Sequence, residues 1–171
     1  ISKDGYVVTN HHVAGNAVRI ICNLSDQQEI EAKLVGTDAM ADIAVLKLDL
    51  SQLKDPKAGV AVAQWGDSDT VAVGDVVFAM GSPGAVSQSI TKGIVGNAKL
   101  ILPKNASGMF KLDGESVGTI VRWLAHDAVI FGGNSGGPLL DVEGKIVGIN
   151  EIGLASLGGA IPSNLARYVV E

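Results

Sequence analysis

The rhythm of the chain constrains its fold most. Apolar runs, each about the length of one β-strand, follow one another from Tyr6 to Pro162 with turn residues between them. In the first half Tyr6–Asn10, Ala17–Asn23, Glu29–Gly36, Ile43–Leu48 and Val60–Ala63 are expected as strands. In the second half Val73–Met80, Ser89–Ala98, Thr119–His126, Gly137–Asp141, Lys145–Glu151 and Gly159–Pro162 are. Ile43–Leu48 is apolar almost throughout, which suits a strand buried on both faces. Only His11–Gly15 and the stretch from Ser163 to Arg167 read as helical, the latter with Ser163 as N-cap. Short strands without helical periodicity indicate an all-β protein, barrel or sandwich. The halves match in strand number, not in letters, and meet near Gln64–Gly74. Two barrel-like units are therefore expected, residues 1–66 and 67–171. A site drawn from both would lie in the cleft between them.

Bulk properties remove several function classes. With 47% hydrophobic and 18% charged residues, the 171-residue chain can bury a proper core. A net charge of −5 gives no electrostatic case for nucleic acid or an anionic membrane as main partner. No apolar run approaches the ~18 residues of a membrane span. Cys22 is the single cysteine, so no internal disulfide can form; it reads as a buried, inert thiol. The three histidines lack zinc spacing, and no G-x-G or G-K-[ST] fingerprint occurs. No metal and no cofactor is expected.

Chemistry concentrates in three stretches. Gly132-Gly133-Asn134-Ser135-Gly136-Gly137-Pro138-Leu139 sets one hydroxyl among glycines. A Ser at the tip of such a turn exposes Oγ and can point its own N–H the same way. A nucleophile with an oxyanion hole needs both. An ordinary turn between strands would read much the same, were it alone. Thr9-Asn10-His11-His12-Val13-Ala14 adds a base, and Asp38-Ala39-Met40-Ala41-Asp42-Ile43 adds a carboxylate at the start of a strand. The order is base, carboxylate, nucleophile: His12, Asp42, Ser135.

T-N-H-H-V, A-D-I-A-V-L-K-L and G-N-S-G-G-P-L closely resemble the HtrA/Deg family of trypsin-like serine proteases. Gly66-Asp67-Ser68-Asp69, Val73-Gly74-Asp75, Met80-Gly81-Ser82-Pro83, Lys92-Gly93-Ile94-Val95, Val147-Gly148-Ile149-Asn150 and Ala160-Ile161-Pro162-Ser163 extend the resemblance over almost the whole chain. The resemblance implies two six-stranded β-barrels of the chymotrypsin kind and a short terminal helix. It implies that the first barrel, which carries His12 and Asp42, lacks its first strands here, since about two more would precede Gly5. A PDZ domain often follows in the family. A homotrimer of the full-length protein, an extracytoplasmic and periplasmic location, and unfolded or misfolded polypeptide substrates are also implied.

By the same resemblance His12 is the base, because the family places it directly before Val13; His11 is the rival. Asp42 orients it, and Gly133, Asn134 and Ser135 form the oxyanion hole. The specificity pocket is expected from Val129, Ile130, Ile152, Gly153, Leu154, Gly159 and Ala160, an uncharged set that suits small or medium aliphatic side chains. His126 is expected to be structural, and Asp127 carries no assigned chemistry. Three departures stand out: Phe131-Gly132 before the G-N-S, a distinctive Lys99–Gly118 loop, and Glu151 where the family has a small hydroxyl residue near the catalytic carboxylate. Glu151 has two possible fates. It faces away, or it adds negative charge beside the base and shifts activity to higher pH. A catalytically silent protease-fold module that binds unfolded polypeptide is the competing function.

Overall fold

In a computed structural model of the chain, residues 1–83, 88–102, 111–112, 115–154 and 157–171 are described. Strands β1 (Tyr6–Thr9), β2 (Ile20–Asn23), β3 (Glu29–Asp38) and β4 (Ile43–Leu48) form an antiparallel sheet in the order β1-β4-β3-β2. β4 lies between β1 and β3 and is buried on both faces, with Ala44, Leu46 and Leu48 in one apolar cluster and Ile43 in another, which explains its nearly unbroken apolar sequence. The helical turn α1 (His11–Ala14) follows β1 directly.

The rest of the chain builds around β5 (Val76–Gly81) and the long β6 (Ser89–Leu100). After a minimal ladder of β7 (Lys111–Leu112) and β8 (Glu115–Ser116) come β9 (Trp123–His126), β10 (Pro138–Leu140), β11 (Ile146–Leu154) and β12 (Leu157–Pro162). β5, β6, β9, β12, β11 and β10 close into a six-stranded antiparallel barrel. Register shifts within β6 and β11 bend the strands as closure requires. The all-β expectation therefore holds, with one closed barrel and one four-stranded sheet.

Two local expectations are corrected. Val60–Ala63 is no strand. Pairing comes later, where Trp65 bridges Ile146, and Gln64 O and Gly66 N–H bond the Ile146 backbone. Ser163 does not cap the C-terminal helix α2 (Ser163–Val170); it is its first residue, and its hydroxyl donates to Gly66 O over 3.0 Å. Gly84 and most of Pro103–Lys111 lie outside the described residues.

Three apolar clusters hold these elements. One sits within the N-terminal sheet around Ile30, Ala44, Leu46 and Leu48. A second fills the barrel with Val77, Val95, Leu124, Leu139 and Val147. The third joins the halves: Val8, Ala41 and Ile43 pack with Trp123, Ile149, Ile161 and Ala166. This shared cluster fixes the end of β1 and the start of β4 against β9, β11 and β12.

Candidate active site

Asp42 is fully buried at the mouth of β4 and takes a left-handed backbone, φ +52°. Its carbonyl accepts from His11 N–H (3.2 Å) and from Asn10 Nδ2 (3.0 Å). Its carboxylate accepts twice from His12, at Oδ1 from the backbone N–H (2.9 Å) and at Oδ2 from Nδ1 (2.7 Å). The carboxylate is an acceptor, so Nδ1 carries a ring proton, which leaves Nε2 as the nitrogen that can present a lone pair. The His12 side chain is 16% exposed. His11, one residue earlier, turns the other way. Its Nδ1 lies 2.6 Å from Thr37 Oγ1, whose own proton goes to Ile43 O. The neighbouring histidine rings are thus separated by geometry: the His12 ring bonds the Asp42 carboxylate and the His11 ring Thr37 Oγ1.

Ser135 lies on the turn between β9 and β10, and its loop is pressed against β1. Gly136 has φ +81°, and a Cβ there would collide with the Thr9 hydroxyl and the Asn10 N–H. Glycine is therefore required for the approach of this loop to the stretch that carries His12. Gly136 N–H donates to Asn150 O and Asn150 N–H to Gly137 O, which clamps the turn to β11. The Ser135 hydroxyl donates to Glu151 O over 3.0 Å rather than to His12. Gly133 has φ +107°, and its carbonyl accepts from Ser82 N–H at 3.0 Å. Asn134 is buried, its N–H bonded to Phe131 O. Among the described residues, neither Gly133 N–H nor Ser135 N–H has an acceptor.

The expected pocket residues divide between two faces of β12. Ile130 and Ala160 belong with the barrel cluster, and a Cβ at Gly158 would sit 2.9 Å from Ile130 Cδ1 and 2.5 Å from His126 Cε1. Gly159 looks the other way, toward Ile152 and Trp123. Val129 is half-exposed, its carbonyl accepting from Thr91 Oγ1; Gly153 is exposed, and the Leu154 side chain lies outside the described residues. Gly158 is a neighbour that sequence reading missed; alternation along β12 would have placed it with Ala160. His126 is fully buried on β9, and burial holds its ring below the usual imidazole value. Asp127 accepts from Ile94 N–H at 2.6 Å and ties β6 to the turn after β9. Cys22 is half-buried on β2, and burial raises its thiol.

Glu151 does not face away. It is 4% exposed, its Oε2 accepts from Trp123 Nε1, and Asp42 is the carboxyl next to it. Burial, foremost, pushes its pKa up to about 8. Of its two expected fates the place near the base is the one observed, and burial there disfavours the charged form, with no cation paired to it among the described residues.

Comparison with known proteins follows the same lines. A family model described as trypsin-like peptidase domain matches residues 1–149. A probable periplasmic serine endoprotease DegP-like from Pseudomonas fulva is 39% identical over the whole chain. One of the same description from Chlamydia trachomatis is 34% identical, again over all of it. The chain spans about a third of the length of these relatives, 33% and 32%. Among solved structures, an HtrA-type protease AlgW with decapeptide superposes with TM-score 0.79 at 36% identity, over 99% of this chain and 48% of that one. A serine endoprotease from Yersinia pestis superposes with TM-score 0.75 at 34% identity, over 99% of this chain and 54% of that one.

Proposed function

The chain belongs to the trypsin-like peptidases and, among them, to the HtrA/Deg type, and on that premise we propose that it hydrolyses peptide bonds in unfolded or misfolded proteins through an acyl-enzyme on Ser135. The observation that carries this reading is the doubly bonded His12–Asp42 pair, packed beside the Ser135 turn. His12 Nε2 takes the Ser135 proton as Oγ attacks the carbonyl carbon, then gives it to the leaving amine. Asp42 keeps the ring in the tautomer this needs and stabilises the imidazolium. The N–H groups of Gly133 and Ser135 receive the oxyanion, with buried Asn134 bracing the turn between them. Water then repeats the attack on the ester, and His12 acts as base again.

Ser135 must first leave Glu151 O, a rotation about one bond between staggered wells. That resting bond also supports the second reading, a protease-fold module that binds unfolded polypeptide without cleaving it. Val129, Ile130, Ile152, Gly153, Leu154, Gly159 and Ala160 are the proposed pocket region, for an uncharged aliphatic side chain. The units 1–66 and 67–171, and assembly of the full-length protein as a homotrimer, complete the proposal. Relatives named as periplasmic support an extracytoplasmic location. Among the described residues, no helix is long and apolar enough to cross a membrane.

A fluorophosphonate probe distinguishes the two readings. It is expected to label Ser135 alone, and both Ser135→Ala and His12→Ala should abolish labelling. Undiminished labelling in His12→Ala would sink the triad. A folded native chain that takes up no probe favours the binding module.

A further inference from the structure

Behind the His12–Asp42 pair stands a second acid with nowhere to place a charge. Glu151 on β11 is 4% exposed. Its Oε2 accepts from Trp123 Nε1 on β9. Its Oε1 receives no donor among the described residues, although it is buried. A Cβ on Gly118 would come within 2.5 Å of that oxygen, so the space beside it is closed to solvent. The Gly118 turn that touches this oxygen also donates to Ala39 O and, from Ile120, to Met40 O, which sets the Asp42 loop alongside and makes Asp42 the neighbouring carboxyl. Two carboxylate anions in such contact repel, and neither could donate. One proton between them removes both problems. Asp42 already accepts from the N–H and Nδ1–H of His12, donors that hold it as the carboxylate. The proton therefore belongs on Glu151.

We propose that Glu151 is kept as a neutral carboxylic acid that donates its proton to Asp42, and so positions the Asp42 carboxylate under His12. This rests on the reading of His12 and Asp42 as base and orienting carboxylate. Glu151 acts through Asp42 and touches no substrate, so it is a positioning residue. The titratable groups facing it are Asp42 directly and His12 beyond Asp42. From β9 it meets the Trp123 indole, and from the turn after β8 the Gly118 backbone, neither of them charged.

The arrangement has a limit built in. The value to which burial raises Glu151, about 8, lies near the working range of a neutral-pH hydrolase. Above it the proton leaves, the hydrogen bond becomes a contact between two anions, and Asp42 is driven from its place. Peptide hydrolysis should fall with that ionisation. Glutamine at 151 has the shape of the protonated acid, with an amide NH2 in place of its OH: its carbonyl oxygen accepts from Trp123, and its amide donates to Asp42 at every pH. Alanine removes both bonds and leaves a cavity.

Three readouts on the folded chain test this. In infrared difference spectra of wild type minus Glu151→Gln, the C=O stretch of a carboxylic acid is expected at pH 7 and should vanish as pH is raised through about 8. In proton NMR, the low-field His12 Nδ1–H resonance should be sharp in wild type at pH 7 and in Glu151→Gln, and broadened or lost in Glu151→Ala. In peptide hydrolysis, Glu151→Ala should lower kcat/KM roughly tenfold at neutral pH. Glu151→Gln should recover most of that loss, and it should also lack the alkaline fall of wild type. Carboxylate bands in place of the acid band at pH 7 overturn the proposal. So does a Glu151→Gln profile with the same alkaline fall. Should Ser135 prove unreactive, the infrared and NMR readouts still decide the point, so the catalytic reading and this one fail separately.

Discussion

Asp42 holds a left-handed backbone that costs a residue with a Cβ about 1 kcal/mol or more, and it does so at φ +52° while fully buried. The turn lets one residue accept with its carbonyl from Asn10 and His11 and with its carboxylate from His12. A second buried acid in contact with it has a consequence for stability. The folded chain keeps the Glu151 proton up to about pH 8, whereas an unfolded chain releases it near 4.5. Between those values the folded state binds more protons. The contribution is therefore complete below about 4.5 and drains away as pH rises to about 8. The slope is at most about 1.4 kcal/mol per pH unit. His126 has the opposite sign. Burial keeps its ring below 6.5, so its contribution is lost as pH falls through that value. Urea unfolding of wild type and Glu151→Gln separates the two, because His126 is common to both. Wild type should lose stability relative to Glu151→Gln steadily from pH 5 to 8. Parallel curves would mean that Glu151 is already ionised in the folded chain.

At the scale of elements, side-chain alternation on β12 decides what a pocket can be. Ala160 and Gly158 share the Ile130 side of the strand, and Gly159 the Ile152 and Trp123 side. In the proposed pocket, Ile130 is the aliphatic residue whose size can be changed with least disturbance to the shared core. Ile130→Ala should shift cleavage of casein from bonds after Val and Ala toward bonds after Leu and larger side chains. The change should be roughly tenfold in relative kcat/KM, the usual worth of one or two methylenes. Product termini mapped by mass spectrometry give the answer, and an unchanged preference places the pocket elsewhere. Cuts mainly after Lys or Arg would have the same meaning. The elements themselves were largely legible. Ile43–Leu48 coincides with β4, because a strand whose two faces both pack into apolar clusters must be apolar on both. Val60–Ala63 misled because its letters suit a strand, yet residues 61–64 are exposed and a ladder needs a neighbour, which no local sequence reveals. His12, Asp42 and Ser135 could be named from motif letters. The resting bond from Ser135 to Glu151 O could not, nor could the protonation of Glu151, since both depend on what surrounds a side chain in space.

At the scale of the whole molecule the question is whether the two halves are separate bodies. The topology separates them: the sheet ends at Leu48 and the barrel begins at Val76. The packing does not. Val8, Ala41 and Ile43 from the first sheet share one core with Val121, Trp123, Ile146, Ile149, Ile161 and Ala166. The geometry of the proposed site depends on that core, because Asp42 sits between Ala41 and Ile43, and the Ser135 loop is held against β1. A cavity here should therefore loosen both halves together. Ile43 is 1% exposed, and Ile43→Ala should cost about 2–5 kcal/mol, the range for truncating a buried isoleucine. Two-state coupling adds a sharper expectation. In urea, the fluorescence of the two tryptophans, Trp123 on β9 and Trp65 bridged to Ile146 on β11, reports the barrel side of this cluster. Amide exchange of β3 and β4 reports the first half. Both signals should move to lower denaturant by the same amount in Ile43→Ala, together with loss of probe labelling at Ser135. If amide exchange in β3 and β4 shifts while tryptophan fluorescence stays in place, the halves unfold independently. The cluster would then be a contact between two stable bodies rather than the core they share.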